Sequence, residues 1–247
     1  MKKINIEVCC GNILDVVLAA KCKVDRIELN SALELGGLTP SYRTFIHAKK
    51  LGIPLMVMIQ SRNAGFCYSE EEYITMLKDA RWFIENGTNG LVFGFLDQNG
   101  NVDHKRVKEM MSIIGNKTSV FHIAIDNCIN MEKSIKELID LGVNRLLTAG
   151  GIGDIDDNQE RLKMLENTYG DKIEILPGGR VTKRNVGSLI KNCNLKQVHL
   201  SMKKTFVDIP LKIHDLGYIN GFSYNGVDEL HLKKVVKIVR RIESQSE

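Results

Sequence analysis

The sequence predicts an α/β chain that forms a single-domain TIM (β/α)₈ barrel over residues 1–247. Eight short apolar runs alternate with segments of helical periodicity, which indicates parallel strands joined by right-handed crossovers. Five of the helical segments end in glycine, and these glycines recur about every 30 residues. An open doubly wound sheet is the alternative fold, but the first turn, VCCGN, lacks the glycine-rich fingerprint that often follows its first strand.

The predicted strands share an apolar run of four to six residues each. They are residues 4–8, 24–29, 55–59, 90–94, 119–123, 144–148, 173–176 and 197–200. The glycines that end predicted helices are Gly52, Gly87, Gly115, Gly142 and Gly170.

Two helix starts carry clear signals. Ser69, followed three residues later by Glu72, predicts a capping box. Thr39 before Pro40 predicts a helix with Thr39 as its N-cap and Pro40 at its first position.

The C-terminal part departs from the repeat. Residues 201–226 form a long insertion between the eighth strand and a last helix predicted at 227–242. An insertion at this face of a barrel is expected to be a lid or an oligomer contact, and a packed spacer is the alternative.

Composition excludes several classes of protein. The chain has 34 basic and 30 acidic side chains, and no Lys/Arg cluster is interleaved with aromatic residues, so no nucleic-acid partner is expected. No N-terminal apolar segment and no stretch of membrane-spanning length occurs, which predicts a cytoplasmic protein without a membrane partner. The six cysteines are scattered without a CxxC pair and are expected to be reduced thiols.

Polar residues occupy the strand phase that faces the barrel interior. In the first strand Ile4, Ile6 and Val8 must meet the helices, so Glu7 and Cys9 point inward. The same alternation applied to the sixth strand predicts that Leu146 and Thr148 point inward. Applied to all the strands, it predicts a set of polar residues that face the barrel interior. That set is Glu7, Cys9, Glu28, Asn30, Arg62, His122, Asp126, Thr148, His199 and Ser201.

Most of these residues lie late in their strands, which is the C-terminal face where TIM barrels place active sites. Convergent titratable groups indicate a functional site. The predicted catalytic residues are Glu7, Glu28, Arg62, His122, Asp126 and His199. The alternative is a closed network of Glu7, Glu28 and an arginine, Arg26 or Arg62, that only fills the barrel.

Two glycine loops follow the sixth and seventh strands, TAGGIG at 148–153 and PGGR at 177–180. Backbone amides in such turns can hold an anion, and barrels often bind phosphate after strands seven and eight. The predicted anion-binding residues are Gly150, Gly151, Gly178, Gly179 and Ser201. Arg180 beside them favours this interpretation, although a Gly-Gly pair also occurs in simple tight turns.

Cys9 is the candidate metal ligand. A thiolate with an imidazole from His122 or His199 suits copper(I) or zinc. A lone strand cysteine can instead be a small hydrophobic residue, or a nucleophile activated by a histidine.

Eight segments together resemble the CutC family, which is named for copper homeostasis. They are EVCC (7–10), DRIELNSALELGGLTPS (25–41), VMIQSRNAGFCYSEEE (57–72), GLVFGFLDQNGNVD (90–103), FHIAID (121–126), GVNRLLTAGG (142–151), ILPGGRV (175–181) and VHLS (198–201). The resemblance implies a TIM-type barrel, a cytoplasmic location, copper(I) binding or handling, and homo-oligomers.

The resemblance also implies a ligand set. Of the two cysteines in the family's copper proposal, the first maps onto Cys9 and the second onto Asn30. The family's FHRAFD stands here as FHIAID, with Ile123 in place of its arginine, and its PGGG stands as PGGR.

Two functions therefore emerge. The first is a copper-homeostasis protein with copper as its ligand at Cys9. The second is an enzyme on a small polar or phosphorylated substrate. There Glu7 or Glu28 would act as base and His122 or His199 as acid, while Arg62 and the glycine loops would hold an anion.

Overall fold

The computed structural model describes residues 3–207 and 223–245, in which eight parallel strands alternate with helices. The barrel strands are β1 (Asn5–Cys10), β2 (Arg26–Leu29), β3 (Leu55–Met58), β4 (Gly90–Phe93), β5 (Thr118–Phe121), β6 (Arg145–Thr148), β7 (Glu174–Pro177) and β8 (Gln197–Leu200). The helices are α1 (Ile13–Lys21), α2 (Tyr42–Lys49), α3 (Glu70–Glu85), α4 (His104–Ile114), α5 (Met131–Asp140), α6 (Gln159–Tyr169), α7 (Val186–Asn192) and α8 (Glu229–Gln245).

The sheet order is β7-β6-β5-β4-β3-β2-β1-β8, and every pairing in it is parallel. The two end strands meet, because the side-chain amide of Gln197 on β8 donates to the carbonyl oxygen of Ile175 on β7 over 3.2 Å. The sheet is therefore a nearly closed barrel with helices outside, and the predicted TIM barrel is confirmed.

The signals for helix ends hold in most cases. Ser69 and Glu72 form the predicted capping box at the start of α3. Four of the five glycines predicted to end helices have positive φ angles; these are Gly52, Gly87, Gly115 and Gly142. The fifth, Gly170, has φ −61 and packs against Glu166, where a Cβ would lie 2.5 Å from a carbonyl oxygen.

The predicted start of α2 is wrong by two residues. Ser41 is the N-cap, since its hydroxyl accepts from the amide of Thr44 over 3.1 Å. The hydroxyl of Thr39 instead accepts from the amide of Gln60 over 2.9 Å and donates to the carbonyl of the same residue over 3.1 Å. Thr39 thus connects the β2–α2 loop to the residues that follow β3. Because its hydroxyl makes these two hydrogen bonds, it does not cap α2.

The barrel has an apolar interior distinct from the layer between strands and helices. The interior side chains are Met56, Met58, Val92, Val120, Leu147 and Leu176. The phase predicted for β6 is wrong, because Leu147 faces the interior and Leu146 faces the helices. The two adjacent leucines make the strand alternation ambiguous in the sequence. In the structure the buried Arg145 points inward and pairs with Glu174, so Leu147, two residues later, points inward as well.

The C-terminal insertion contains an antiparallel ribbon of β9 (Lys203–Val207) and β10 (Ser223–Val227). Residues 208–222 of the predicted 201–226 insertion lie outside the described residues. Asp15, buried at the start of α1, accepts from the amides of Gly11 (3.0 Å) and Val227 (2.7 Å) and fastens the ribbon to the barrel. In the described part of the chain, no helix has both the length and the apolarity needed to cross a membrane.

Candidate functional site

The register around β1 aligns the polar residues in rows across three strands. Glu7 on β1 pairs in register with Arg26 on β2 and with His199 on β8. Two residues further along, Cys9 pairs with Glu28. Since residues in register share a face of a sheet, these side chains meet inside the barrel.

Glu7 and Arg26 of the first row belong to a network that we call the inner network, which also contains Gln197, Glu174 and Arg145. The Glu7 carboxylate accepts from Arg26 Nε, and Arg26 continues to Gln197 Oε1 over 2.9 Å. Gln197 Nε2 donates to Glu174 Oε2 over 3.3 Å, and Arg145 binds the same oxygen over 2.6 Å. Every charged side chain in the inner network therefore has an opposite partner.

Glu7 is held as an anion. Burial alone would raise its pKa, but the neighbouring Arg26 and His199 outweigh burial and hold the pKa of Glu7 well below its usual range. The second carboxylate oxygen of Glu7 lies 2.8 Å from His199 Nδ1. This contact fixes the orientation of the imidazole and leaves Nε2 directed to the second row.

Cys9 and Glu28 of the second row belong to what we call the mouth cluster, which also contains Asn30, His122 and the His199 imidazole of the first row. A thiol sulfur, a carboxylate oxygen and an imidazole nitrogen, from Cys9, Glu28 and His199, all lie within 4.8 Å of one another. Asn30 Nδ2 donates to Glu28 Oε2 over 2.8 Å and to Cys9 Sγ over 3.3 Å. Among the described residues, the buried Glu28 Oε1 and Asn30 Oδ1 have no hydrogen-bond partner.

Protonation in the mouth cluster follows from burial and from Glu28. Burial, with the Glu28 carboxylate beside it, raises the pKa of Cys9 well above its usual value, so the thiol keeps its proton at neutral pH. Burial would lower the pKa of His199, but Glu28 and Glu7 outweigh burial and raise it.

A cavity of about 280 Å³ opens above the cluster at the C-terminal ends of the strands. Its walls include Cys9, Glu28, His199 and His122, together with Gly178 and Gly179 of the loop after β7. Gly178 packs so closely that a Cβ there would lie 2.5 Å from Leu147. The cavity thus brings four of the predicted catalytic and metal-binding side chains to one place.

His122 presents a neutral ring to this cavity. Burial lowers its pKa to about 4, and Nδ1 accepts from the amide of Ala124 over 3.2 Å. The neutral ring therefore carries its proton on Nε2, which is buried and has no partner within the described ranges. His122 can donate a hydrogen bond without adding charge.

Arg62 does not join the cluster. Its Nε pairs with Glu72 over 2.6 Å, and its other nitrogens donate to the carbonyls of Asn63, Gly65 and Cys67. It lies beyond the end of β3, where strand alternation no longer fixes direction. It thereby holds the β3–α3 loop, in which Phe66, which the alternation did not predict, packs against His122 with ring centroids 4.8 Å apart and ring planes tilted by 52°.

Asp126 also lies apart from the cavity, because β5 ends at Phe121 and a 3-10 helix (Ile123–Asn127) follows. Its carboxylate accepts from the Thr148 hydroxyl and from the amides of Ala149 (2.8 Å) and Gly151 (2.9 Å). Burial raises the pKa of Asp126 despite these bonds.

The two glycine loops differ in what they hold. The amide of Gly151 donates to Asp126 and that of Gly150 donates to Thr148 Oγ1 over 2.9 Å, so this loop binds a carboxylate of the protein itself. Gly178 and Gly179 line the cavity of the mouth cluster, and Ser201 lines a second cavity beside it.

Comparisons with known proteins agree with this fold. The sequence model of the CutC family matches residues 4–204. A relative from Treponema denticola, named as a CutC family protein, is 41% identical over 246 residues, covering 99% of this chain and 100% of the relative. One from Aliivibrio fischeri is 36% identical over 205 residues, with 82% and 83% covered.

Solved structures give the same result. The structure of the putative copper homeostasis protein CutC from Streptococcus agalactiae superposes with a TM-score of 0.76 at 31% identity, covering 79% of this chain and 97% of the other. Thiamine phosphate pyrophosphorylase from Pyrococcus furiosus, at 12% identity and a TM-score of 0.59, shares the fold alone. On the family match and the full-length similarity to its relatives, this chain belongs to the CutC family.

Proposed function

We propose that this chain is a copper-handling protein that binds copper(I) between Cys9 and His199, with Glu28 beside the ion. The observation that carries the proposal is the set of three donor atoms within 4.8 Å of one another at the mouth of the barrel. The family name and the description of the Streptococcus agalactiae relative as a putative copper homeostasis protein support copper as the ion.

The donor set fits a soft ion with one thiolate and one imidazole. Glu7 on the far nitrogen of His199 is the carboxylate–histidine arrangement that orients metal-binding imidazoles. Asn30 stands where the family resemblance implies a second cysteine, and its amide donates to Cys9 Sγ. The proposed site therefore has a single thiolate ligand.

Binding at this site must release protons, since the pKa values of both Cys9 and His199 are raised and a metal binds only their deprotonated forms. We expect affinity for copper(I) to rise with pH through the neutral range.

The test is an anaerobic titration of reduced protein with copper(I) against a competing chelator. Wild type should bind one ion, and Cys9→Ala should lose at least roughly 100-fold in affinity. Cys67→Ala, which removes an exposed thiol, is the matched control and should bind like wild type. Equal, weak binding by wild type and Cys9→Ala would overturn the proposal.

A second candidate function is acid/base catalysis on a small polar or phosphorylated substrate. Glu28 and His122 favour it, because both line the 280 Å³ cavity and each has a buried polar atom without a partner in the described residues. Glu28 would act as the base and neutral His122 as a hydrogen-bond donor to the substrate. A thermal-shift screen of metabolites separates the two functions, since a ligand that stabilises wild type but not Glu28→Gln supports catalysis.

The cellular location and the oligomeric state are proposed from the family resemblance. We propose that the chain acts in the cytoplasm as a homo-oligomer. Size-exclusion chromatography with light scattering tests the assembly, and a monomeric mass at micromolar concentration would contradict it.

A further inference from the structure

A second cavity of about 540 Å³ lies between the loops that follow β7 and β8, next to the first turn of α8. Within residues 3–207 and 223–245, it shares no lining residue with the cavity of the mouth cluster. The side chains that matter here carry basic nitrogens or hydroxyl groups: Arg180, Lys183, Arg184, Ser201, Lys203 and His231. Ser201 is the one residue of the predicted anion-binding set that reaches this cavity. We call it the basic cavity.

Positive charge is in excess around the basic cavity. Among the described residues, four Lys and Arg side chains line it against two carboxylates, those of Asp154 and Asp156. Arg180 pairs with Asp154 over 3.0 Å, which neutralises one of the four. In the part of the chain that the structure describes, the side chains of Lys183 and Arg184 have no hydrogen-bond or ion-pair partner. Concave surfaces lined by one sign of charge concentrate ligands of the opposite sign.

The backbone of the basic cavity is held in unfavourable conformations. Arg180 has φ 63 and Met202 has φ 40, although neither is glycine. Both residues line the cavity, one from each loop. Left-handed conformations of non-glycine residues are unfavourable, and such residues cluster at active sites and ligand-binding sites.

We propose that the basic cavity binds the phosphate group of a small phosphate monoester. A monoester dianion matches the local excess of two positive charges. Planar guanidinium groups from Arg180 and Arg184, with the hydroxyl of Ser201, provide the donors that phosphate oxygens accept. The position after the seventh and eighth strands is where barrels often hold phosphate. The proposal does not rest on copper binding, because none of the described residues lines both cavities.

The experiment is isothermal titration calorimetry at constant ionic strength with inorganic phosphate, glycerol 3-phosphate and glycerol. Wild type should bind inorganic phosphate and glycerol 3-phosphate saturably at one site and should not bind glycerol. Tighter binding of glycerol 3-phosphate than of inorganic phosphate assigns the monoester, whereas equal binding assigns the phosphate group alone. Arg184→Gln should weaken both about tenfold, as expected for one lost charge-assisted hydrogen bond.

Two further variants protect the interpretation. Lys108→Gln removes the same charge from the exposed face of α4 and should leave phosphate binding unchanged. Arg180→Gly removes a guanidinium while placing glycine at a positive φ angle, so it should weaken binding without lowering the melting temperature. The proposal is overturned if phosphate binding is not saturable, or if Lys108→Gln weakens it as much as Arg184→Gln does.

Discussion

The inner network and the mouth cluster are neighbouring layers of the same barrel, yet they differ in whether their buried polar atoms have hydrogen-bond partners. In the inner network every charge is paired, and the chain of contacts runs from β1 through β2, β8 and β7 to β6. In the mouth cluster Glu28 Oε1, Asn30 Oδ1 and His122 Nε2 are buried and unpartnered within the described residues.

This difference separates stability from function. Buried polar groups without partners are unfavourable, and proteins keep few of them unless a ligand or water completes the set. The inner network is complete without a ligand and orients His199 through Glu7. The mouth cluster is complete only when something else donates to Glu28 and accepts from His122. We therefore expect substitutions in the inner network to affect folding, and substitutions in the mouth cluster to affect binding.

The largest effect is expected for Glu7→Gln. The substitution leaves the buried Arg26 without its counter-ion, which should cost about 3–5 kcal/mol of unfolding free energy. Glu70→Gln makes the same chemical change outside the inner network, at a side chain that is 66% exposed and pairs with Arg106, and should cost less than about 1 kcal/mol. Urea unfolding at neutral pH measures both. Equal losses in the two variants would show that the inner network is not the stabilising layer.

A smaller effect is expected from His122 as the pH falls. Its pKa is lowered from 6.5 to about 4, so between these pH values His122 is protonated in the unfolded chain and neutral in the folded chain. Stability should therefore be lost as pH falls from about 6.5 towards 4, with a contribution of roughly 2 kcal/mol between pH 7 and pH 5.

His122→Asn keeps an acceptor near the amide of Ala124 and removes the titrating ring. The difference in unfolding free energy between pH 7 and pH 5 should be smaller in this variant by that amount. If the pH dependence of the variant equals that of wild type, His122 is not held neutral by burial.

The smallest effect on folding is expected for Glu28→Gln. Because one Glu28 oxygen has no partner within the described ranges, replacing the carboxylate by an amide should change the unfolding free energy by less than about 1 kcal/mol. Ligand binding at the mouth should fall in the same protein. A Glu28→Gln variant as unstable as Glu7→Gln would place Glu28 in the inner network instead.

Much of the site could be predicted because strand alternation is regular. Glu7, Cys9, Glu28 and His199 lie within or at the ends of confirmed strands, so their common direction followed from a period of two. The strands and most helix ends could likewise be predicted, because apolar runs and helix-terminating glycines are local features of the sequence.

Prediction failed where the strands end. Arg62 and Asp126 lie past the last strand residue, and each is captured by local acceptors or donors, Arg62 by loop carbonyls and Asp126 by the amides after β6. No periodicity encodes such contacts, because they depend on how a loop returns to its neighbour. The sequence pointed only to Ser201 and Arg180 in the basic cavity, since Lys183 and Arg184 lie in a loop and Lys203 begins β9, where the alternation of the barrel strands does not apply.

The central claim is our proposal that the mouth cluster binds copper(I) through Cys9 and His199. Anomalous diffraction at the copper edge, from crystals grown anaerobically with copper(I), tests it most directly. We expect one strong peak between Cys9 Sγ and His199 Nε2, and its loss in Cys9→Ala. A peak at the exposed Cys67 with none at the mouth would contradict the claim.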